Sequence, residues 1–185
     1  MEGIYSVAFY PSEAIIAQVK EMKETLYAKA GWFHSKNSVG HITVCEFKAT
    51  DELIEKAKQQ LIRLSDGFKP VEVHLIGFGS YSNGAFFITP DEVSKESLKP
   101  IMQRINNTLI IQSLKVSNDP HLSIGRRLTT EQLATAYSMF TEIDTHFLCD
   151  SMVLRKFNET IKQFEVTDTF MFQGNPYEGE QGTFF

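Results

Sequence analysis

The chain contains one four-residue pattern twice, as His41-Ile42-Thr43-Val44 and His121-Leu122-Ser123-Ile124. Each copy runs histidine, apolar, hydroxyl, apolar, and this alternation predicts a β-strand with one buried face. Residues i and i+2 of a strand point to the same side, so each copy places an imidazole beside a hydroxyl, with two apolar side chains behind them. One such tetrapeptide arises by chance in roughly one chain of this size in several, whereas two with similar flanks arise in about a few per cent.

The order of the predicted elements around the motifs is also repeated. Strand, helix, motif strand, helix and strand occur once before the Asn83-Gly84 turn and once after it. We therefore expect a single α+β domain over residues 1–172, with pseudo-repeat halves at about 1–83 and 84–172. Two antiparallel sheets, with helices outside, should line a central cleft that has one motif strand on each wall. The tail, residues 173–185, is rich in Gly, Glu and Pro and should be irregular.

Four amphipathic helices are predicted from apolar residues at helical spacing. Thr50 should cap the second helix, the third should follow Ser94, and Thr129 with Gln132 should form a capping box on the fourth. Residues 147–172 predict two strands around one turn, and Asn83-Gly84 predicts a two-residue hairpin turn. The apolar stripes are Ile15, Val19, Met22 and Leu26; Leu53, Ala57, Leu61 and Leu64; Leu98, Ile101, Ile105 and Leu109; Leu133, Tyr137 and Phe140.

Composition and charge exclude several classes of protein. A net charge of −5 argues against a protein that coats nucleic acid, because such binding requires many cations on phosphates. A single nucleotide or RNA end could still be held by a few local cations, for which the candidates are Arg126, Arg127, Arg155 and Lys156. No apolar run is long enough to span a membrane. The two cysteines, Cys45 and Cys149, lack metal-ligand spacing and suit a reducing cytoplasm, where we expect the protein.

The two motifs resemble those of the two-histidine (2H) phosphoesterase superfamily, whose bacterial members are often called 2′-5′ RNA ligase-like or cyclic phosphodiesterase-like proteins. That family is defined by two His-x-[Thr/Ser]-apolar motifs on the inner strands of a duplicated α+β fold, as at His41 and His121. Pro120 and Arg126 also match, because several members carry His-x-Thr-Leu-x-Arg at the second motif. Ser123 departs from threonine only by a methyl group. The resemblance covers nearly the whole chain and implies this duplicated two-lobe fold.

The paired motifs suit hydrolysis of a cyclic phosphate, which needs two proton transfers. Water loses a proton as it attacks phosphorus, and the departing ribose oxygen gains one. Histidine has an unperturbed pKa near 6.5 and serves either role, so His41 and His121 are the predicted acid–base pair. Thr43 and Ser123 are predicted to donate to the non-bridging oxygens. The resemblance favours His121 as the base and His41 as the acid, and it implies a 2′-phosphate product.

Strict alternation along the motif strands predicts further residues of the cleft. It places Cys45 on the same face as His41, and Gly125 on the same face as His121. It also turns Arg127 rather than Arg126 toward the cleft, whereas the family pattern favours Arg126. A β-bulge at Gly125 would reconcile the two. A solvated surface charge remains the alternative for either arginine.

Two aromatic residues are predicted to contact the substrate. Trp32, in the loop before the first motif, and Tyr81, beside the predicted hairpin turn, could stack on a nucleobase. Core packing is the alternative for both, since aromatic side chains mostly serve burial. The substrate-binding set is therefore Arg126, Trp32 and Tyr81.

These residues predict a metal-independent phosphodiesterase that acts on a 2′,3′-cyclic phosphate or a 2′-5′ linkage of a nucleotide or RNA end. One alternative is the same chemistry on a small metabolite such as ADP-ribose 1″,2″-cyclic phosphate. Another is a nucleotide- or RNA-end-binding module without turnover. No metal or other cofactor is expected, because a zinc site built on His34 and His41 lacks an evident third ligand. We expect a monomer without a membrane partner.

Overall fold

A computed structural model describes residues 2–111 and 113–176 of the chain. It confirms the predicted α+β class, with four helices and nine strands among those residues. The strands are β1 (Glu2–Phe9), β2 (Ile42–Thr50), β3 (Val71–Ser80), β4 (Phe86–Pro90), β5 (Ser113–Val116), β6 (Leu122–Gly125), β7 (Thr145–Cys149), β8 (Ser151–Asn158) and β9 (Gln163–Met171). The helices are α1 (Glu13–Ala30), α2 (Asp51–Gly67), α3 (Glu92–Thr108) and α4 (Thr130–Met139).

All nine strands belong to one antiparallel sheet, and this corrects the expected pair of sheets. The strand order is β7-β3-β4-β6-β2-β1-β8-β9, and β5 pairs with β2. The order is a palindrome about the contact between β6 and β2, so the sheet has two equivalent lobes joined at the motif strands. We call them the β2 lobe (β2, β1, β8, β9 and β5) and the β6 lobe (β6, β4, β3 and β7).

The lobes do not coincide with the predicted sequence halves, residues 1–83 and 84–172. Strand β3 belongs to the first half of the sequence but pairs with β4 and β7 in the β6 lobe. Strands β8 and β9 come from the second half and extend the β2 lobe through β1. The two halves therefore exchange outer strands, and neither half contains a complete lobe.

The helix starts follow local capping chemistry, with two differences from prediction. The Thr50 hydroxyl accepts from the Leu53 amide, and the Thr129–Gln132 capping box is present, as predicted. The α3 helix starts earlier than predicted, because the Asp91 carboxylate accepts from the Ser94 amide and is the cap. On α2, Ile54 is buried and the predicted Leu53 is exposed, so the apolar face is rotated by one residue.

The turn between β3 and β4 is a three-residue loop, not the predicted two-residue turn. Tyr81 and Ala85 close the hairpin by an amide–carbonyl bond of 3.0 Å, and the Gly84 amide donates to the Tyr81 carbonyl at 3.0 Å. Gly84 has φ +79°, the left-handed conformation expected at the end of such a loop. Its carbonyl accepts from the Leu128 amide at 2.9 Å, which ties the hairpin to the segment that follows the second motif.

The C-terminal region contains one strand more than predicted. Residues 147–172 were expected to form two strands, but β7 is separate and pairs with β3, while β8 and β9 form the hairpin. Strand β5 was also not predicted. Residues 173–176 have no regular structure, and the rest of the predicted irregular tail lies outside the described residues.

No helix among the described residues is long and apolar enough to cross a membrane.

Gly84→Ala tests the close approach between the hairpin and the second motif. A Cβ at this position would collide with the Leu128 carbonyl oxygen and lie 2.8 Å from its amide nitrogen, in addition to the cost of a positive φ. We expect the free energy of unfolding, measured in urea, to fall by about 1–3 kcal/mol. Gly174→Ala is the matched control, because its φ is +70° and its Cβ would meet only Lys69 at 3.5 Å. An equal loss in both variants would contradict the proposed collision.

Candidate active site

The two motif strands lie next to each other in the sheet. Ile42 of β2 pairs with Leu122 of β6, and both side chains are fully buried. Extending this antiparallel register by one residue in each direction sets His41 across from Ser123, and Thr43 across from His121. The motif strands are therefore direct neighbours, which corrects the expectation that they form opposite walls of a cleft. Each imidazole has the hydroxyl of the other motif as its cross-strand partner.

Each motif strand contains a β-bulge at the fourth residue of its motif. In β2, Thr43 and Cys45 pair with consecutive residues of β1, so Val44 is the extra residue. In β6, Ser123 and Gly125 pair with consecutive residues of β4, so Ile124 is the extra residue. A bulge shifts the alternation of the side chains that follow it.

The bulges decide which residues face the cleft. Cys45 does not face it as strict alternation predicted, because it is fully buried in the core. Glu46 lines the cleft instead. In the second motif the bulge turns Arg126 into the cleft, which resolves the choice between Arg126 and Arg127 in favour of the family pattern. Glu46 and Arg126 occupy equivalent positions, each the fifth residue after its motif histidine.

One cavity of about 280 Å³ collects the four predicted catalytic side chains and Arg126. This volume is near the lower end for small-ligand sites, which suits a ribose and its phosphates better than a long strand. Within the described part of the chain, four cations and one carboxylate line it, so the cavity is positive although the protein is acidic. The charged residues are Lys115, Arg126, Arg155, Lys162 and Glu46.

Both motif histidines are held in the same way by the backbone. The Nδ1 atom of His41 lies 2.6 Å from the Val39 carbonyl oxygen, and the Nδ1 atom of His121 lies 2.8 Å from that of Asp119. A carbonyl oxygen only accepts, so each Nδ1 carries a proton and donates it. The Nε2 atom of each neutral ring is then free to accept a proton, and that of each charged ring is free to donate one.

A buried lysine holds the loop before the first motif. The Nζ of Lys23, on α1, donates to the carbonyl oxygens of Ser35 and Ser38 at 2.9 and 2.8 Å and to the Ser38 hydroxyl at 2.9 Å. Burial is the main cause that lowers the pKa of Lys23 to about 7, and the Arg126 charge lowers it further. This loop leads into Val39, whose carbonyl orients His41, so Lys23 positions the first imidazole indirectly.

The pKa values of both motif histidines are lowered. Burial is the main cause for His41, whose pKa lies well below 6.5; the Arg155 guanidinium is the next cause, and Lys23 and Lys115 add smaller effects. Burial also lowers the pKa of His121, although its hydrogen bond to the Asp119 carbonyl and the Asp119 charge oppose the shift. Both rings therefore favour the neutral form in the ligand-free cavity.

The two predicted aromatic contacts lie beside the cavity and not in its lining. Trp32 is 62% exposed and packs edge-on against His34, which does line the cavity, with ring centroids 4.8 Å apart. The Tyr81 ring lies 5.4 Å from that of His121 in an edge-to-face contact, and its hydroxyl donates to the Asp119 carboxylate. Tyr81 thus supports both the imidazole and the residue that orients it. Base stacking stays a prediction for both aromatics.

Sequence analysis missed Glu46 and Lys23 and left Arg155 as one of several surface cations. Lys23 had a detectable signal, because it lies four residues after Val19 and three before Leu26, within the apolar stripe of α1. Glu46 had none, since only the bulge brings it to the cleft. Arg155 follows three buried residues of β8, Met152 to Leu154, and a charge at the end of such a run was the available sign.

Side chains that could bind a metal ion are not clustered in the described part of the chain. Between residues 2 and 176, leaving out 112, no group of three or more His, Cys, Asp or Glu side chains is placed to hold a metal ion. Both cysteines are buried and unpaired.

Solved structures share this fold. LigT of E. coli, crystallised with 3′-AMP, matches with a TM-score of 0.65 over 93% of this chain and 99% of its own, at 10% identity. The protein TT0787 of Thermus thermophilus matches with 0.64 over 92% and 98%, at 15% identity. Usb1 of Kluyveromyces marxianus matches with 0.57 over 92% and 97%, at 14% identity. These likenesses confirm the duplicated α+β fold.

Sequence comparison gives the family. A protein of Geobacillus kaustophilus (strain HTA426) that carries the name of a phosphoesterase, GK0864, is 26% identical over 108 residues. The match covers 58% of this chain and 62% of that protein, so it spans less than two thirds of the relative's length. The model of the 2′-5′ RNA ligase superfamily matches residues 11–160, a range that contains both motifs. The chain therefore belongs to the 2′-5′ RNA ligase superfamily, in agreement with the resemblance of its two motifs to the 2H phosphoesterases.

Proposed function

We propose that the protein is a metal-independent phosphodiesterase that opens a 2′,3′-cyclic phosphate, or cleaves a 2′-5′ linkage, at a nucleotide or RNA end. The observation that carries this proposal is the matched orientation of the two imidazoles. His41 and His121 both donate through Nδ1 to a backbone carbonyl, and both line one positively charged cavity. Two titratable Nε2 atoms at one anion site supply the base and the acid that the reaction needs.

The reaction requires one proton to be taken up and one to be given. By the family resemblance, Nε2 of neutral His121 removes a proton from water as the water oxygen attacks phosphorus. The bond from phosphorus to the ribose 3′ oxygen breaks, and Nε2 of charged His41 protonates that oxygen. The product is a 2′-phosphate, and the two histidines end with their protonation states exchanged.

The remaining groups of the cavity stabilise charge on the phosphate. Thr43 and Ser123 lie one residue beyond the Ile42–Leu122 pair, so their hydroxyls can donate to the non-bridging oxygens from opposite strands. Arg126 adds a cation that binds phosphate through two parallel N–H groups. Donors placed before the reaction cost no reorganisation when charge develops on the oxygens.

The charges of the cavity set an order of binding and protonation. Arg155, Lys23 and Lys115 all lower the pKa of His41, so the free ring resists the proton that it must later donate. A bound phosphate anion has the opposite effect and raises the pKa of both rings. Substrate binding should therefore be coupled to the uptake of about one proton by the histidine pair.

Relatives of the same fold support a nucleotide substrate. LigT of E. coli has been crystallised with 3′-AMP, with ATP and with NADP⁺. Each of these ligands has a phosphate attached to a ribose, the chemistry that the proposed reaction needs. The name of the Geobacillus relative as a phosphoesterase agrees with the reaction class.

His41→Ala and His121→Ala should each lower kcat for adenosine 2′,3′-cyclic phosphate by about 10²–10⁴-fold, the range for a lost general acid or base. The double variant should be little worse than the worse single one, because the two groups act in one step. Thr43→Ala and Ser123→Ala should lower kcat by a smaller factor, about 10–10³-fold. Product formation is followed by chromatography.

His74→Ala is the matched control, because His74 stacks on His146 across β3 and β7 and does not line the cavity. Circular dichroism verifies that each variant is folded. If folded His121→Ala kept wild-type turnover, the two-histidine mechanism would be excluded. Tight nucleotide binding without turnover in the wild type would instead identify a binding module.

The pH dependence of the reaction follows from the lowered pKa values. Activity requires one neutral and one charged ring, so kcat/KM should be bell-shaped, with its maximum below about pH 6.5, the ordinary pKa of histidine. Bound substrate raises both pKa values, so the kcat profile should lie at higher pH. Initial rates between about pH 4 and pH 9 measure both profiles. A kcat/KM maximum on the alkaline side of neutrality would contradict this charge environment.

Activity should survive dialysis against EDTA, because the mechanism uses two imidazoles and needs no metal-bound water. The test compares turnover of one cyclic nucleotide before dialysis, after dialysis, and after addition of zinc or manganese. Complete loss with EDTA that either metal restores would show that the mechanism depends on a metal.

A further inference from the structure

Arg155 is a buried cation at the end of the cavity that β8 and β9 form. Only 2% of this residue is exposed, and it lines the cavity. Its Nη2 donates to the Ser6 hydroxyl at 2.7 Å, and its guanidinium lies 5.9 Å from the ring of Tyr10 and 5.0 Å from that of Phe164. The guanidinium is thus held between two aromatic rings, and its orientation is fixed before any ligand binds.

The guanidinium has unused hydrogen-bonding capacity. Its Nε has no partner, and among the described residues no carboxylate lies within ion-pair distance of it. Glu46, the one carboxylate among the described residues lining the cavity, lies 3.9 Å from Lys115 instead. Burying a cation without a counter-charge is unfavourable unless something else compensates it. A ligand anion would provide that compensation.

The position of Arg155 separates it from the two histidines. It pairs with Ser6 of β1, and Ser6 pairs with Glu46 of β2, so the three residues form one row across the sheet. The row of Thr43 lies two register steps away because of the bulge at Val44. At about 3.3 Å per step this offset is about 7 Å along the strands. The two phosphates on the 3′ and 5′ sides of one ribose are separated by a similar span.

We propose that Arg155 forms a second anion subsite, for a phosphate on the 5′ oxygen of the ribose whose cyclic phosphate lies between the two histidines. Lys162 lines the same end of the cavity and adds positive charge. This subsite rests on the proposed function for its orientation and makes Arg155 a specificity-determining residue. The preferred substrate is then a ribose with phosphates at both ends. An RNA 3′ end and a nucleotide sugar with a pyrophosphate both have this chemistry.

The experiment compares adenosine 2′,3′-cyclic phosphate with its 5′-phosphorylated derivative. Wild-type protein should prefer the 5′-phosphorylated substrate by about tenfold or more in kcat/KM, as expected for charge-assisted hydrogen bonds to a phosphate. Arg155→Met should reduce that ratio to about one. Arg155→Lys, which keeps the charge but loses the planar fork, should retain part of the preference.

Lys156→Met is the matched control. Lys156 is the next residue of β8, removes the same charge when substituted, and lies over the Tyr5 ring outside the cavity lining. It should leave the ratio at the wild-type value. A ratio near one in the wild type, or a ratio that Arg155→Met leaves unchanged, would overturn the proposal. In the second case Arg155 would act on the reacting phosphate or on the fold alone.

Binding separates failure of the subsite from failure of the proposed reaction. Adenosine 2′,5′-bisphosphate should bind more tightly than 2′-AMP in calorimetry, and Arg155→Met should abolish the difference. Loss of the preference without turnover in any variant would support the subsite and reject the hydrolase. Equal binding of the two nucleotides by the wild type would reject the subsite.

Two further measurements complete the test. The Tm of Arg155→Met should equal or exceed that of the wild type, because replacing a buried, unpaired charge by an apolar group is often neutral or stabilising. A large drop in Tm would make Arg155 structural and overturn the proposal. The source of the phosphate is identified with a dinucleotide 2′,3′-cyclic phosphate and with ADP-ribose 1″,2″-cyclic phosphate. The substrate whose turnover is more sensitive to Arg155→Met is the one that uses the subsite, and insensitivity of both would overturn it.

Discussion

The pairing of Ile42 with Leu122 is the contact on which the rest of this structure depends. It joins the two lobes of the sheet and sends both apolar side chains into one core. The same pairing forces the neighbouring histidines and hydroxyls to the opposite face, because side chains alternate along a strand. A one-residue slip in this register would bury the polar groups and expose the apolar ones, so core packing and site geometry are fixed by the same contact.

The cavity combines a symmetric centre with asymmetric surroundings. The bulges, the Nδ1–carbonyl contacts and the cross-strand pairing of histidine with hydroxyl occur in both motifs. The fifth residue after each histidine is Glu46 in one motif and Arg126 in the other, and only the β2 lobe contributes Arg155. The symmetric part can transfer two protons, and the asymmetric cations can give a substrate one direction. The same cations lower the pKa of His41, so the free site resists the protonation that a bound phosphate favours.

Sequence patterns predicted the features of this molecule that depend on local chemistry. Alternation located both motif strands, and the hydroxyls of Thr50 and Thr129 located two helix starts. Features that depend on register between distant strands were not accessible. The bulges at Val44 and Ile124 leave no local signature, so Cys45 was wrongly placed in the cleft. The exchange of outer strands between halves, and the short β5, likewise depend on which strands meet in three dimensions.

The central claim is that two histidines present unprotonated Nε2 atoms to one anion site, and nitrogen NMR of the imidazole rings tests it most directly. Long-range proton–nitrogen spectra distinguish the two tautomers and follow each ring through titration. At about pH 7.5 we predict that both His41 and His121 are neutral and protonated on Nδ1, and that both pKa values lie below about 6.5. Addition of 2′-AMP should raise both. An Nε2-protonated tautomer in either ring, or a response of only one ring to the nucleotide, would contradict the account.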